Sequence, residues 1–121
     1  LDAPVVGSRP QAEAGALLYL IGGRAEAVAR ARPVLAALGS GFHHLGETPA
    51  GATAKLLVNT LFATQVAVLA ELIAVARRSG LDAAQLVQLL GALPVISPAA
   101  KVAAAAMVSA RFEPLFPIVT R

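Results

Sequence analysis

A lysine and an asparagine lie one helical turn apart near the start of a long apolar segment of this chain. They are Lys55 and Asn59, and the segment continues to about Val75 with few other polar residues. A spacing of four residues places both side chains on one face of a helix. An ammonium and an amide that project together from an apolar helix could bind the oxyanion or carbonyl oxygen of a small molecule. The alternative is that Lys55 extends along the helix to reach water and that Asn59 has no special role.

The composition limits the classes of protein to which the chain can belong. Of the 121 residues, 57% are hydrophobic and 14% are charged, which is very apolar for a soluble domain. Much of this is alanine, so helix is the expected state. There is no cysteine, and the adjacent His43 and His44 cannot share a helical face, so we expect no metal site. The net charge of +3 comes from scattered basic residues, and nucleic-acid binding therefore has little support.

The apolar segment approaches the length that spans a bilayer. Asn59, Gln65 and Glu71 interrupt it, and a carboxylate within lipid would be costly. We therefore expect a helix that protein covers on most sides, in a cytoplasmic protein without a membrane partner. The first residues lack the basic region of a signal peptide, and Leu1 in place of a starting methionine indicates the middle of a longer chain.

Short strands are predicted in the first 46 residues. Pro4 indicates an edge strand at the start, and a continuous apolar run that ends at Gly22 indicates a buried one. His43 and His44 alternate between the faces of a third strand, so one should be buried and the other solvated. The predicted elements are a strand over residues 1–6, a loop over 7–10, a helical turn over 12–14, a strand over 16–21, a helix over 24–38 and a strand over 41–45.

The remainder of the chain is predicted to be helical. Thr48 is the expected N-cap of the long helix, with Pro49 at its first position. Because this helix is apolar nearly all round, it needs partners on several sides, and we expect a second copy of the chain to supply them. The predicted helices run from 49 to 79, from 83 to 90 with Asp82 as the cap and a break at 91–94, and from 99 to 109 with Ser97 as the cap.

Three segments of the chain coincide with the motifs of one enzyme family. They are Asp2-Ala-Pro-Val-Val-Gly7-Ser8 followed by Ala12-Glu13-Ala14-Gly15, Gly51-Ala-Thr-Ala-Lys55-Leu-Leu-Val-Asn59, and Phe112-Glu-Pro-Leu-Phe116-Pro. The first resembles the D-A-P-V-S-G-(G/S)…A-E-x-G segment of the β-hydroxyacid dehydrogenases. The second resembles their G-x-x-x-K-x-x-x-N helix, and the third resembles the segment just before their late K-D motif. This family includes 3-hydroxyisobutyrate dehydrogenase and the 6-phosphogluconate dehydrogenase-like enzymes, and the glyoxylate/succinic semialdehyde reductase branch is the most similar.

The resemblance implies a mostly α fold preceded by the last short strands of a Rossmann α/β domain. Residues 1–47 would end the dinucleotide-binding domain, and residues 48–121 would form a helical substrate and dimerisation domain. The family's G-x-G-x-x-G motif, which holds the cofactor pyrophosphate, does not occur here. The chain would thus be an inactive piece, truncated at both ends, of an NAD(P)-dependent oxidoreductase. That enzyme would transfer hydride between NADP or NAD and a small, carboxylate-bearing β-hydroxy acid or aldehyde acid of the 3-hydroxyisobutyrate, glyoxylate or succinic semialdehyde type.

The same resemblance suggests roles for individual residues. Lys55 matches the lysine that serves as general acid toward the carbonyl oxygen that receives hydride. Asn59 matches the asparagine that orients the substrate and this lysine. Phe116 matches an aromatic residue near the nicotinamide, with plain core packing as the alternative.

The substrate carboxylate would bind at the loop that contains Gly7 and Ser8. A glycine there lets the backbone approach the substrate closely, and the Ser8 hydroxyl is a donor. Val6 stands where the family has a substrate-binding serine, so the carboxylate loses one hydroxyl donor. Either Ser8 takes over this function or the substrate is less polar at that end.

Two other classes of function are open to the sequence. A helical dimerisation module without catalysis would explain the long apolar helix, but it does not predict Lys55 together with Asn59 or the loop at Gly7 and Ser8. A membrane-surface protein is disfavoured because the helix lacks a basic face. Dimerisation and catalysis are compatible, since family dimers pack through this helical domain.

Overall fold

The computed structural model describes residues 1–112 of the chain. The chain divides into two compact units, Leu1–Thr60 and Leu61–Arg121, and the second is described as far as residue 112. The fold is mostly α with a small sheet near the start, which confirms the predicted fold class. The division into domains between residues 47 and 48 stays a prediction.

A three-stranded sheet in the order β1-β2-β3 forms the centre of the first unit. β1 pairs antiparallel with β2, and β2 pairs parallel with β3. The central strand is a continuous apolar run whose residues are buried from Tyr19 onward, as a strand covered on both faces requires. The elements are β1 (Val5–Val6), α1 (Arg9–Glu13), β2 (Leu18–Gly22), α2 (Ala25–Leu38) and β3 (Gly41–Gly46).

The core of the first unit lies between the sheet and α2. Tyr19 and Ile21 of β2 pack with Val28 and Leu35 of α2. Val28 and Leu35 are seven residues apart, so both point to the same side of the helix. The apolar face of α2 therefore fixes this helix against β2.

Three helices form the described part of the second unit, and the first of them begins in the first unit. Asp82 accepts a hydrogen bond from the Ala84 N–H at 2.7 Å, and the Ser97 hydroxyl accepts one from the Ala100 N–H at 3.2 Å, which confirms both predicted caps. Fully buried Ala100 and Ala104 allow close packing of the third helix. The helices are α3 (Ala50–Arg78), α4 (Ala83–Ala92) and α5 (Pro98–Ser109), and the core comprises Leu69, Ile73, Ala83, Val87, Ala100 and Ala104.

A large part of the α3 surface is apolar and exposed. By length and composition alone, this helix is long and apolar enough to cross a membrane. Only 11% of its most apolar 18-residue window is buried. Leu56 and Leu57 are each 65% exposed and Leu61 is 63% exposed. The expectation that protein covers this helix on most sides is therefore not met within the described part of the chain.

Two sequence predictions about the first unit are wrong. The predicted loop over residues 7–10 contains the start of α1 at Arg9, because Ser8 and Gln11 form a capping box and proline is tolerated in a first helical turn. His43 and His44 are both exposed, because neither packs against the core cluster of the first unit, which Phe42 of the same strand does contact.

The predicted break after Leu90 is also wrong, since α4 continues through Gly91 to Ala92. The Lys101 side chain lies against this glycine, where a Cβ would come within 2.7 Å of Lys101 Cε. The Lys101 ammonium donates to the Gly91 carbonyl at 3.3 Å. The glycine thus serves the packing of α5 on α4 rather than the end of a helix.

Candidate active site at the start of helix α3

The first turn of α3 lies against the end of β2. The Ala50 N–H donates to the Glu47 carbonyl at 2.8 Å. Thr48 is not the N-cap that the sequence predicted, because its hydroxyl donates to the Gly22 carbonyl at 3.3 Å. That bond fixes the residues before α3 to the end of the central strand.

Asp2 supplies the cap that Thr48 does not. Its backbone N–H and carbonyl pair with the carbonyl and N–H of Gly22 at 2.8 and 3.0 Å. Its side-chain Oδ2 accepts a hydrogen bond from the Ala52 N–H, fifty residues later in the chain. A carboxylate is favourable at a helix N-terminus because the first N–H groups have no partner within the helix and carry partial positive charge.

Two glycines allow this close approach. A Cβ on Gly51 would clash with the Leu20 carbonyl oxygen and would lie 2.9 Å from the Gly22 nitrogen. A Cβ on Gly22 would lie 2.8 Å from the Ala50 and Gly51 nitrogens. The backbone of α3 therefore touches the backbone of β2 directly, with no space for side chains between them.

Lys55 and Asn59 follow Gly51 along the same face of α3, each one turn further on. Gly51 is buried, Lys55 is half-buried and Asn59 is exposed. Neither side chain forms a hydrogen bond or an ion pair with another residue in the range 1–112. The two polar groups that the sequence predicts as a site thus lie on one face at the start of the exposed part of α3, without a side-chain partner among residues 1–112.

Gly7 and Ser8 form the turn between β1 and α1. Gly7 has a φ of +129°, which side chains other than glycine rarely adopt, and a Cβ there would come within 2.9 Å of the Leu17 side chain. The Ser8 N–H and hydroxyl donate to one oxygen, Gln11 Oε1, at 2.9 and 2.8 Å. The two donors expected for a substrate carboxylate are therefore directed at a single point, and an amide oxygen lies there.

Gln11 was missed by the sequence interpretation, although Ser8-Arg-Pro-Gln11 is the S-x-x-Q signature of a capping box. Val6 is half-buried in β1 and pairs with Leu18, so it ends the strand that leads to Gly7. Phe116 lies outside the described residues. No hydrogen bond within residues 1–112 joins the Gly7–Ser8 turn directly to Lys55 or Asn59.

The glycines at the end of β2 do not form a cradle for phosphate. A Cβ on Gly23 would come within 2.7 Å of the Leu1 Cβ, and one on Gly22 would clash with the Asp2 carboxylate. The chain's own atoms fill the space that a cofactor phosphate would need. These two glycines therefore do not fit the pyrophosphate of a dinucleotide. The described residues contain no cluster of metal-ligating side chains.

Two family models match the chain in succession. Residues 1–46 match the NAD binding domain of 6-phosphogluconate dehydrogenase. Residues 49–120 match the NAD-binding domain of NADP-dependent 3-hydroxyisobutyrate dehydrogenase, which is more than half of the chain. The chain belongs to the β-hydroxyacid dehydrogenase family. This confirms the resemblance of the three motifs, in a family whose members are NAD(P)-dependent hydroxyacid dehydrogenases.

Individual β-hydroxyacid dehydrogenases show how far the similarity extends. A 3-hydroxyisobutyrate dehydrogenase from Pseudomonas aeruginosa is 43% identical over 90 residues, covering 74% of this chain and 30% of that protein. Glyoxylate/succinic semialdehyde reductase 2, chloroplastic, from Arabidopsis thaliana is 32% identical over 118 residues, covering 98% of this chain and 33% of that protein. The chain thus spans about a third of the length of these curated relatives.

The fold agrees with a crystal structure of this family. The 3-hydroxyisobutyrate dehydrogenase from Salmonella typhimurium superposes with a TM-score of 0.81 at 28% identity, over 95% of this chain and 41% of that one. The order of small sheet, long helix and shorter helices is therefore that of a β-hydroxyacid dehydrogenase.

Proposed function

We propose that the whole protein to which this chain belongs is an NAD(P)-dependent oxidoreductase that acts on a small β-hydroxy acid or aldehyde acid. Candidate substrates are of the 3-hydroxyisobutyrate, glyoxylate or succinic semialdehyde type. The observation that carries the proposal is the pair Lys55 and Asn59 on one face of α3, both without a hydrogen-bond partner in the described range. In a member of this enzyme family, two unengaged polar groups beside an apolar surface are best explained by a substrate.

Lys55 is the residue that we propose as general acid. In the reductive direction, the nicotinamide cofactor, NADP or NAD, would supply the hydride, and the oxygen of the carbonyl would gain negative charge. The ammonium of Lys55 would donate a proton to that oxygen. The amide of Asn59 would orient the substrate and the lysine relative to each other. General acid catalysis of this kind contributes about 10²–10⁴-fold to a rate. Phe116 is proposed to lie near the nicotinamide.

The substrate carboxylate is proposed to bind at Gly7 and Ser8. The two Ser8 donors already converge on one oxygen, Gln11 Oε1, and a carboxylate oxygen would replace it with a stronger, charge-assisted acceptor. Val6 contributes no donor, so the hydroxyl of Ser8 would have to compensate for the serine that other family members carry. The domains that we propose remain residues 1–47, at the end of the cofactor domain, and residues 48–121, in the helical domain. We propose that the chain alone is inactive, because its sequence lacks the G-x-G-x-x-G motif that holds the cofactor pyrophosphate in this family.

Cofactor oxidation by the whole protein tests this function. We expect NADPH or NADH to be oxidised in the presence of glyoxylate, succinic semialdehyde or tartronate semialdehyde, and NADP or NAD to be reduced in the presence of 3-hydroxyisobutyrate. The ratio of kcat/KM between substrates would identify the branch of the family. The absence of turnover with all of them would contradict the proposal.

A second function is favoured by the exposed apolar surface of α3. We propose that this surface forms a homodimer or a higher homo-oligomer, since exposed apolar areas of this kind usually mark interfaces. A protein partner rather than a bilayer would then cover the helix, in agreement with a cytoplasmic location. If the assays detected no turnover but the protein associated, a non-catalytic dimerisation module would be the better interpretation.

Sedimentation velocity of the whole protein at micromolar concentration tests this association. We expect dimers or larger species, and we expect Leu61→Glu to shift them toward monomers because it places a charge on the apolar surface of α3. Val102→Glu is the matched control, since Val102 of α5 is also 63% exposed. A monomeric wild-type protein would contradict the association, and equal effects of the two variants would contradict the assignment to α3.

A further inference from the structure

Asp2 connects the two segments that carry the candidate site. It lies five residues before Gly7, in the segment that ends at Ser8, and its side chain bonds to the first turn of the helix that carries Lys55 and Asn59. Its backbone is fixed to β2 by two hydrogen bonds with Gly22. It is therefore held by three hydrogen bonds, two to β2 and one to α3.

The carboxylate of Asp2 is committed to α3. Its Oδ2 accepts from the Ala52 N–H, and its Oδ1 is buried without a hydrogen-bond partner among the described residues. A buried polar atom without a partner is uncommon and costly. The side chain therefore holds the helix through a single hydrogen bond, and no other donor among the described residues bonds to this carboxylate.

This bond lies next to Lys55. Ala52 precedes Lys55 by three residues, so the two lie on neighbouring positions of one face. Long side chains on a helix lean toward its N-terminus, which directs Lys55 back over the turn that Asp2 holds. The direct backbone contact of Gly51 with β2 leaves no flexible side chain between helix and strand, so a displaced first turn would displace Lys55 with it.

We propose that Asp2 is a positioning residue for the reaction, which sets the place of Lys55 by anchoring the first turn of α3 to the end of β2. This inference rests on the proposed function, in which Lys55 donates a proton. In this role Asp2 would contact neither substrate nor cofactor. It acts through the helix, and an amide at this position should replace it because the amide oxygen still accepts from Ala52.

Enzyme kinetics of the whole protein with Asp2→Ala, Asp2→Asn and Asp82→Ala test this role. Asp82 is a matched control, because its carboxylate also caps a helix by accepting from backbone N–H groups and that helix carries no site residue. We expect Asp2→Ala to lower kcat about 10-fold with KM changed less than about threefold. This loss is smaller than the contribution of a general acid, about 10²–10⁴-fold, because a displaced Lys55 is still present. Asp2→Asn should keep at least about half of kcat, since Asn and Asp cap equally well. Asp82→Ala should lower stability and leave kcat unchanged.

A double-mutant cycle separates this inference from the proposed function. In a Lys55→Met background, Asp2→Ala should lower kcat by less than about twofold, because coupled residues are not additive. Equal losses in both backgrounds, or an unchanged kcat in Asp2→Ala, would overturn the positioning role. An unchanged kcat in Lys55→Met would overturn the proposed acid instead.

Hydrogen exchange followed by mass spectrometry supplies a readout that does not need turnover. Asp2→Ala should speed the exchange of residues 50–60 more than Asp82→Ala does. Unchanged exchange there would overturn the anchor, whether or not the enzyme is active. Faster exchange in a protein without turnover would uphold the anchor and reject the proposed function.

Discussion

Replacing Lys55 with methionine should lower kcat by about 10²-fold or more, since a general acid contributes about that much. Methionine keeps much of the length and the apolar stem of lysine but removes the ammonium. Lys55 is half-buried and forms no hydrogen bond or ion pair with any residue from 1 to 112, so its loss should cost little stability. The expected result is a catalytic defect in a folded protein, measured by NADPH or NADH oxidation at saturating substrate.

Two further variants define this experiment. Lys55→Arg keeps the positive charge but cannot release a proton in the working range, so its kcat should stay low if Lys55 is an acid and recover if it only supplies charge. Lys101→Met is the matched control, because Lys101 is the other lysine of the chain and, among residues 1–112, its ammonium donates to the Gly91 carbonyl alone. A kcat for Lys55→Met within about twofold of wild type would remove Lys55 from the chemistry.

Gly51→Ala should strongly destabilise the packing of α3 on β2. The new Cβ would clash with the Leu20 carbonyl oxygen and approach the Asp2 carboxylate and the Gly22 nitrogen to 2.7 and 2.9 Å. Two of these are backbone atoms of the central strand, which cannot rotate away. Overpacking of this kind typically costs about 1–3 kcal/mol, and we expect the upper end of that range because α3 must move as a whole.

Urea-induced unfolding of the whole protein would measure this cost, with Gly41→Ala as the control. Gly41 of β3 has an ordinary backbone conformation, and a Cβ there would lie 3.8 Å from the nearest atom, the Leu18 Cδ1. That variant should be neutral or slightly stabilising, because alanine restricts the unfolded chain. Equal unfolding free energies for the two variants would show that α3 does not depend on its direct contact with β2.

The effect of Gly51→Ala should extend to catalysis. The added methyl group pushes the first turn of α3 away from β2, and Lys55 lies one turn further along. We expect a loss of kcat in the fraction of protein that remains folded, whereas Gly41→Ala should leave kcat unchanged.

The sequence by itself determined the local elements of this protein. The apolar run at Leu18–Gly22 produced a buried strand, and Asp82 and Ser97 were recognisable caps because a helix N-terminus needs an acceptor within three residues. The spacing of Lys55 and Asn59 placed them on one face of α3, since helical periodicity is a local property. The three motifs also identified the family, which the family models confirm.

The tertiary structure alone decided how these elements begin and meet. Thr48 is a residue type that is common at N-caps, but its hydroxyl donates to the Gly22 carbonyl. The Ala52 N–H of α3 donates instead to Asp2, fifty residues earlier in the chain. Local spacing cannot reveal a bond of that kind. Gly91 is another example, since the Lys101 side chain packs against it and the helix does not end there. The exposure of His43 and His44 likewise depends on what packs against the faces of β3. Hydrogen bonds within a turn are encoded by neighbouring residues, whereas bonds between elements depend on which surfaces the packed chain brings together.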